Sequence, residues 1–91
     1  MDTSRSRVFG ERLRARRQQL NLRQQALAHH MGAAQGWISE LEHGKQSRIE
    51  AETVYRFAQA LNCSTDYLMG LTDDPTPPQK RPRSRTTTPV A

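Results

Sequence analysis

Ninety-one residues with a formal charge of +5 fit at most one small domain. No apolar run approaches the ~20 residues of a membrane span, and the N-terminus lacks the apolar stretch of a secretory signal. A single cysteine, Cys63, excludes an internal disulfide framework and fits a reducing compartment, so a cytoplasmic setting is expected.

The charge is unevenly spread. Residues 8–71 hold eight Arg/Lys (Arg12, Arg14, Arg16, Arg17, Arg23, Lys45, Arg48, Arg56) against six acids (Glu11, Glu40, Glu42, Glu50, Glu52, Asp66), a balance of +2. The surplus lies on the ends, with Arg5 and Arg7 before this region and Lys80, Arg81, Arg83 and Arg85 after it. Basic ends suit nucleic acid, but they also suit solvated chain with no partner. Three segments follow: a flexible basic arm over 1–7, a folded domain over 8–71, and a Pro/Arg-rich tail over 72–91. All five prolines and almost no apolar residues fall in the tail, which is expected to be disordered.

Within the domain the apolar residues recur at helical spacing. Phe9, Leu13, Arg16/Arg17 and Leu20 define a first helix, with Asn21 as its stop and Leu22 turned back toward the core. A second helix runs from about Gln24 to His30. Leu27 and Met31 face inward, Ala26 and Ala28 allow close packing, and Gly32 makes the turn. Arg23 stands where a small polar cap would be preferred. A third helix spans Gln35 to His43 and stops at Gly44. Ile38, Leu41 and Glu42 share one arc, and Gln35, Gly36, Ser39, Glu40 and His43 the opposite one. Trp37 lies at the border.

After a polar loop to Ile49, Val54, Phe57, Ala58 and Leu61 mark a clean amphipathic helix over about Glu50–Leu61. Asn62 ends it, Cys63 is a small core plug, and Ser64 caps a short fifth helix over Thr65–Met69 that Gly70 closes. No strand pattern is present, so the chain reads as all-α with five helices.

Two charges are misplaced on apolar arcs, Arg17 in the first helix and Glu42 in the third. A lone charge there costs several kcal/mol. Their opposite signs predict a pair joining the two helices, Arg donating two parallel bonds to the carboxylate.

These elements resemble the lambda-repressor-like (Cro/XRE-type) helix-turn-helix family. The Arg-rich first helix matches, as do Leu22, Gln24, Leu27 and Ala28 of the second and Gly32 in the turn. Ile38, Ser39, Leu41, Glu42, Gly44 and Lys45 match further on, and Ala60, Leu61, Ser64, Asp66, Tyr67 and Leu68 near the end. The resemblance covers about residues 8–71. It implies a compact five-helix DNA-binding domain whose third helix enters the major groove of double-stranded DNA. Carried over by position, Gln35, Gly36, Ser39 and Glu40 fall where members meet base edges. Gln24 falls where members anchor a phosphate, and His43, Lys45, Ser47 and Arg48 on the loop beside the DNA backbone. Arg17 and Glu42 match the family's structural ion pair. Gln35 can offer a bidentate amide to adenine, and Glu40 can accept from cytosine N4.

The chain departs from the family pattern at Arg23, at Gly36, which presents no side chain at a reading position, and in a loop after Gly44 about one residue longer than common. Trp37 suits either packing between helices or a sugar-phosphate or thymine-methyl contact.

The function that follows is a sequence-specific transcriptional regulator, a repressor, binding a palindromic operator as a homodimer. Tyr67, Leu68, Met69 and Leu71, with Tyr55, are the candidates for the symmetric contact. The alternative is a protein-binding module on the same fold, such as an antitoxin or a switch whose tail meets a protein partner. No nucleophile–base–orienter set is recognisable, so no enzyme is expected. His29, His30 and His43 lack a ligand set, so neither a metal nor a cofactor is expected.

Overall fold

The computed structural model describes residues 4–46 and 48–77. Five helices follow one another: α1 (Ser4–Gln19), α2 (Gln24–Met31), α3 (Gln35–Glu42), α4 (Ala51–Ala60) and α5 (Thr65–Leu68), with no strand among the described residues. From α2 onward the boundaries match the periodicity to within a residue.

All five helices end the same way. A residue at positive φ follows each one (Asn21, Gly32, Gly44, Asn62 and Gly70). The next N–H then returns to a carbonyl five residues back: Leu22 to Arg17, Ala33 to Ala28, Lys45 to Glu40, Cys63 to Ala58, Leu71 to Asp66. This geometry satisfies carbonyls that the last turn leaves open and swings the following side chain back over the helix. Leu22 and Ala33 accordingly pack on the core and Cys63 is buried within it, whereas Leu71 stays 71% exposed.

The core draws on every helix. Phe9 and Leu13 come from α1, Leu27, Ala28 and Met31 from α2, and Ile38 and Leu41 from α3. Val54, Phe57 and Ala58 come from α4, Tyr67 and Leu68 from α5, with Leu61 and Cys63 between. Phe57 is the hub. Phe9 meets it edge-on with ring centroids 5.9 Å apart, and Trp37 stacks on it at 5.6 Å. Gly10 lets α1 lie against α3: a Cβ there would run into the carbonyls of Leu41 and Glu42. Nothing in the hydrophobic pattern marks that position.

Four expectations need correction. The helix begins at Ser4, within the segment read as a loose arm, because Ser6 is buried and the Arg5 guanidinium donates to the Met69 carbonyl at 3.1 Å. Only residues 1–3 of that arm lie outside the described residues. Leu20 is not on the buried stripe: α1 stops at Gln19, and Leu20 is exposed. Ala26 is exposed, so Ala28 alone provides the close contact in α2.

The fourth concerns the tail, whose first six residues dock on the domain. Arg12 donates to the Thr72 carbonyl (2.9 Å) and to Asp73 (2.7 Å), Ser64 N–H donates to the Pro75 carbonyl (3.0 Å), and Pro77 is buried. Local turns hold the segment, with Asp74 N–H bonded to the Thr72 hydroxyl and Thr76 N–H to the Asp74 carboxylate. Composition misses this because the segment is held largely through its carbonyls, which proline retains, with Pro77 as its one buried side chain. The basic part of the tail, 78–91, lies outside the described residues.

Candidate nucleic-acid interface

The α2–turn–α3 unit presents an outward polar face held from behind by a chain of hydrogen bonds. Arg17 and Glu42 do pair. Arg17 Nε donates to Glu42 Oε2 at 2.6 Å and Nη2 to Oε1 at 3.0 Å, while Nη1 reaches the Leu22 carbonyl at 2.8 Å. The Glu42 side chain is 2% exposed and that of Arg17 11%, so the pair is buried, and its geometry is the forked one that guanidinium and carboxylate favour.

The chain continues outward. Gln24 Nε2 donates to Glu42 Oε1 at 3.0 Å, and Gln35 Nε2 donates to Gln24 Oε1 at 3.1 Å. An exposed residue at the start of α3 is thereby registered against a buried carboxylate at its end, through the first residue of α2. Each amide keeps free capacity. Gln24 retains one N–H, and Gln35 retains one N–H and its carbonyl oxygen, which together match the donor–acceptor pair on an adenine edge.

Around Gln35 the face is open. Gly36, Glu40 and His43 are exposed and Ser39 half-exposed. His43 Nδ1 lies 2.7 Å from the Ser39 carbonyl, and Glu40 accepts from Gln46 Nε2 at 3.2 Å. Gln46 is an addition to the residues singled out from the sequence, since only the turn after Gly44 brings it back beside α3. Lys45 and Arg48 are exposed on the same loop, and Ser47 lies outside the described residues. Trp37 is half-buried against Phe57, which favours its packing role.

The basic side chains of the described residues divide into two groups. Five arginines are used inside the fold, all of them donating to backbone carbonyls. Arg5 takes Met69, Arg12 takes Thr72, Arg16 takes Leu61 and Asn62 (3.0 Å each), and Arg56 takes Met31 (3.2 Å). Arg17 is the fifth, and Arg12 also lies 4.6 Å from the Tyr67 ring centroid. Such placements complement the carbonyl ends of helices. Arg7, Arg14, Arg23, Lys45 and Arg48 have no hydrogen bond or ion pair to another described residue. The Arg-rich first helix is therefore chiefly a brace.

Two of the residues read as dimer contacts are misassigned. Tyr67 is 4% exposed and Leu68 0%, because the short α5 turns both into the core. Met69 is half-buried against that core, leaving Tyr55 and Leu71 exposed.

A five-helix array with a braced α2–turn–α3 unit and an open polar face on α3 defines the helix-turn-helix class. A model of the helix-turn-helix domain family matches residues 8–68. Repressor protein C2 of Salmonella phage P22 is 38% identical over 64 residues, an alignment that takes in 70% of this chain and 29% of that protein. The chain thus spans less than a third of that relative's length. No solved structure gave a match. The chain belongs to the lambda-repressor-like helix-turn-helix family.

Proposed function

We propose that the chain is a sequence-specific DNA-binding transcriptional repressor that reads a palindromic operator as a symmetric dimer. The observation carrying this reading is the Arg17–Glu42–Gln24–Gln35 chain, which fixes an otherwise exposed amide at the start of α3. A base-reading side chain must be ordered before it binds, or ordering costs affinity. α3 would lie in the major groove, with Gln35 on adenine, Glu40 on cytosine N4 and Ser39 in either role. The backbone of Gly36 would sit close to the base edges. The free N–H of Gln24, with His43, Lys45, Ser47 and Arg48, would position the domain on phosphates. The repressor name of the phage relative supports the regulatory part.

Two copies must place their α3 helices about 34 Å apart to enter successive major-groove turns. Leu71 is the best remaining contact for that purpose, an apolar residue left open where the ends of α1, α2 and α4 pack theirs. Tyr55 is a second candidate.

Selection from random duplexes at controlled salt, with the mass of the complex measured, tests the proposal. The expected result is a palindrome bound by two chains. Gln35→Ala should relax one base pair by about 1–3 kcal/mol, and Lys45→Ala should weaken all sequences alike. Absence of any enriched motif, with weak binding insensitive to salt, would overturn it.

A further inference from the structure

We infer that Gln46 is a positioning residue for Glu40, and that the preference for cytosine at the base pair Glu40 reads depends on this amide in the loop after α3. The inference rests on the proposed function and deepens it, since Gln46 acts through a residue already assigned to the bases.

The loop closes on Glu40 twice. Gly44 turns the chain at φ 69°, and Lys45 N–H then donates to the Glu40 carbonyl at 3.0 Å. That turn brings the next side chain back beside α3, where Gln46 Nε2 donates to Glu40 Oε1 at 3.2 Å. Gln46 is half-buried and lines a hollow with Trp37, Leu41 and Ile49, whereas Glu40 is exposed. The amide is thus the better anchored partner, and the carboxylate is the one it steadies.

An exposed glutamate must give up side-chain freedom before it can accept from a base, and that ordering costs affinity. A hydrogen bond to one oxygen restrains the side chain and leaves Oε2 open to a cytosine N4 donor. The chemical type of the donor matters as well. Among the described residues no cation pairs with Glu40, although Lys45 and Arg48 share its loop. A paired cation would offset the charge that attracts the N4 donor, whereas a neutral amide orients the carboxylate and leaves it charged. The opposite end of the same face is built alike, with the Gln35 amide held by Gln24. The two long base-facing side chains of α3 are therefore each fixed by an amide from outside the helix, one from α2 and one from the loop.

The test compares wild type, Gln46→Leu, Glu40→Ala and the double variant in the full chain. Each is measured on the selected operator and on operators changed at one base pair at a time, with thermal unfolding alongside. Glu40→Ala identifies the base pair that Glu40 reads. Gln46→Leu keeps much of the side chain's bulk without its donor, so the thermal midpoint should hold at the wild-type value. The preference for cytosine at that pair should fall roughly fivefold, the scale of one hydrogen bond. The preference at the pair read by Gln35 should not change. In the Glu40→Ala background, Gln46→Leu should have no further effect on any base preference. If Gln46→Leu keeps the wild-type preference, weakens all duplexes alike, or still alters a base preference without Glu40, the inference is wrong although the proposed function stands. If wild type prefers no sequence, or Glu40→Ala leaves every preference unchanged, the reading on which the inference rests fails with it.

Discussion

At Gly36 the interests of folding and of binding separate. A Cβ built there meets nothing within 4 Å, and the residue lies in regular helix, so no feature of the domain requires glycine. Gly36→Ala should therefore raise stability by roughly 0.5–1 kcal/mol, visible as a higher thermal midpoint. A loss of DNA affinity in the same variant would show that the bare backbone serves the groove.

Glu42 is the opposite case. Its buried carboxylate satisfies Arg17 and Gln24 together, and Glu42→Ala should cost roughly 3–5 kcal/mol, because it strands a guanidinium in the interior. A midpoint within error of wild type would remove the brace from the argument.

Cys63 gives a pH signature. Burial pushes its thiol from 9.0 up to about 11, opposed by the charge of Arg16. Because the folded state holds this proton more tightly, its contribution is complete below pH 9 and is lost as pH rises toward 11. Unfolding free energies of wild type and Cys63→Ala should thus converge over that interval. A constant difference between them would show that the thiol does not titrate in this way.

Among the elements, α1 is the one whose role changes most between sequence and structure. Of its arginines only Arg17 has a partner foreseen from the sequence, yet Arg5, Arg12, Arg16 and Arg17 all reach the ends of other elements and tie α1 to α3, α4 and α5. The contact with α3 is close enough to need Gly10. Gly10→Ala should push α1 off the Leu41 and Glu42 carbonyls and destabilise the domain by about 1–3 kcal/mol, in line with other overpacked sites. It should also loosen the Arg17–Glu42 pair, so Gly10→Ala and Glu42→Ala should be less than additive in a double-mutant cycle. Full additivity would mean that the two contacts hold α1 independently. The surface pair Arg12–Asp73 should matter little by comparison, since the Asp73 side chain is 97% exposed.

For the molecule as a whole, the proposed operator binding requires a contact between two copies. With Tyr67 and Leu68 committed to the core, Leu71 is the apolar residue most open to a second copy. Leu71→Lys should leave the monomer fold intact, because the side chain touches no core. It should shift the sedimentation equilibrium toward monomer and weaken operator binding steeply while leaving single half-site binding unchanged. An unaltered dimer would move the symmetric contact elsewhere, with Tyr55 next in line.

Much of this was legible from residue order. Periodicity located the helices, their stops at Asn21, Gly32, Gly44, Asn62 and Gly70, and the two misplaced charges that had to meet. Those are local rules of backbone sterics and amphipathic spacing, together with the cost of a lone buried charge, and they act along a single chain. Tertiary structure decided what depends on distant neighbours. It determined which arginines are spent on carbonyls and which stay free, and it buried Tyr67 and Leu68 rather than offering them to a partner. It also docked Thr72–Pro77 through backbone bonds that composition does not register, and linked Gln24 to both Glu42 and Gln35. A hydrogen bond is set by where two atoms finish, and residues 17, 24, 35 and 42 come together only once the helices have packed.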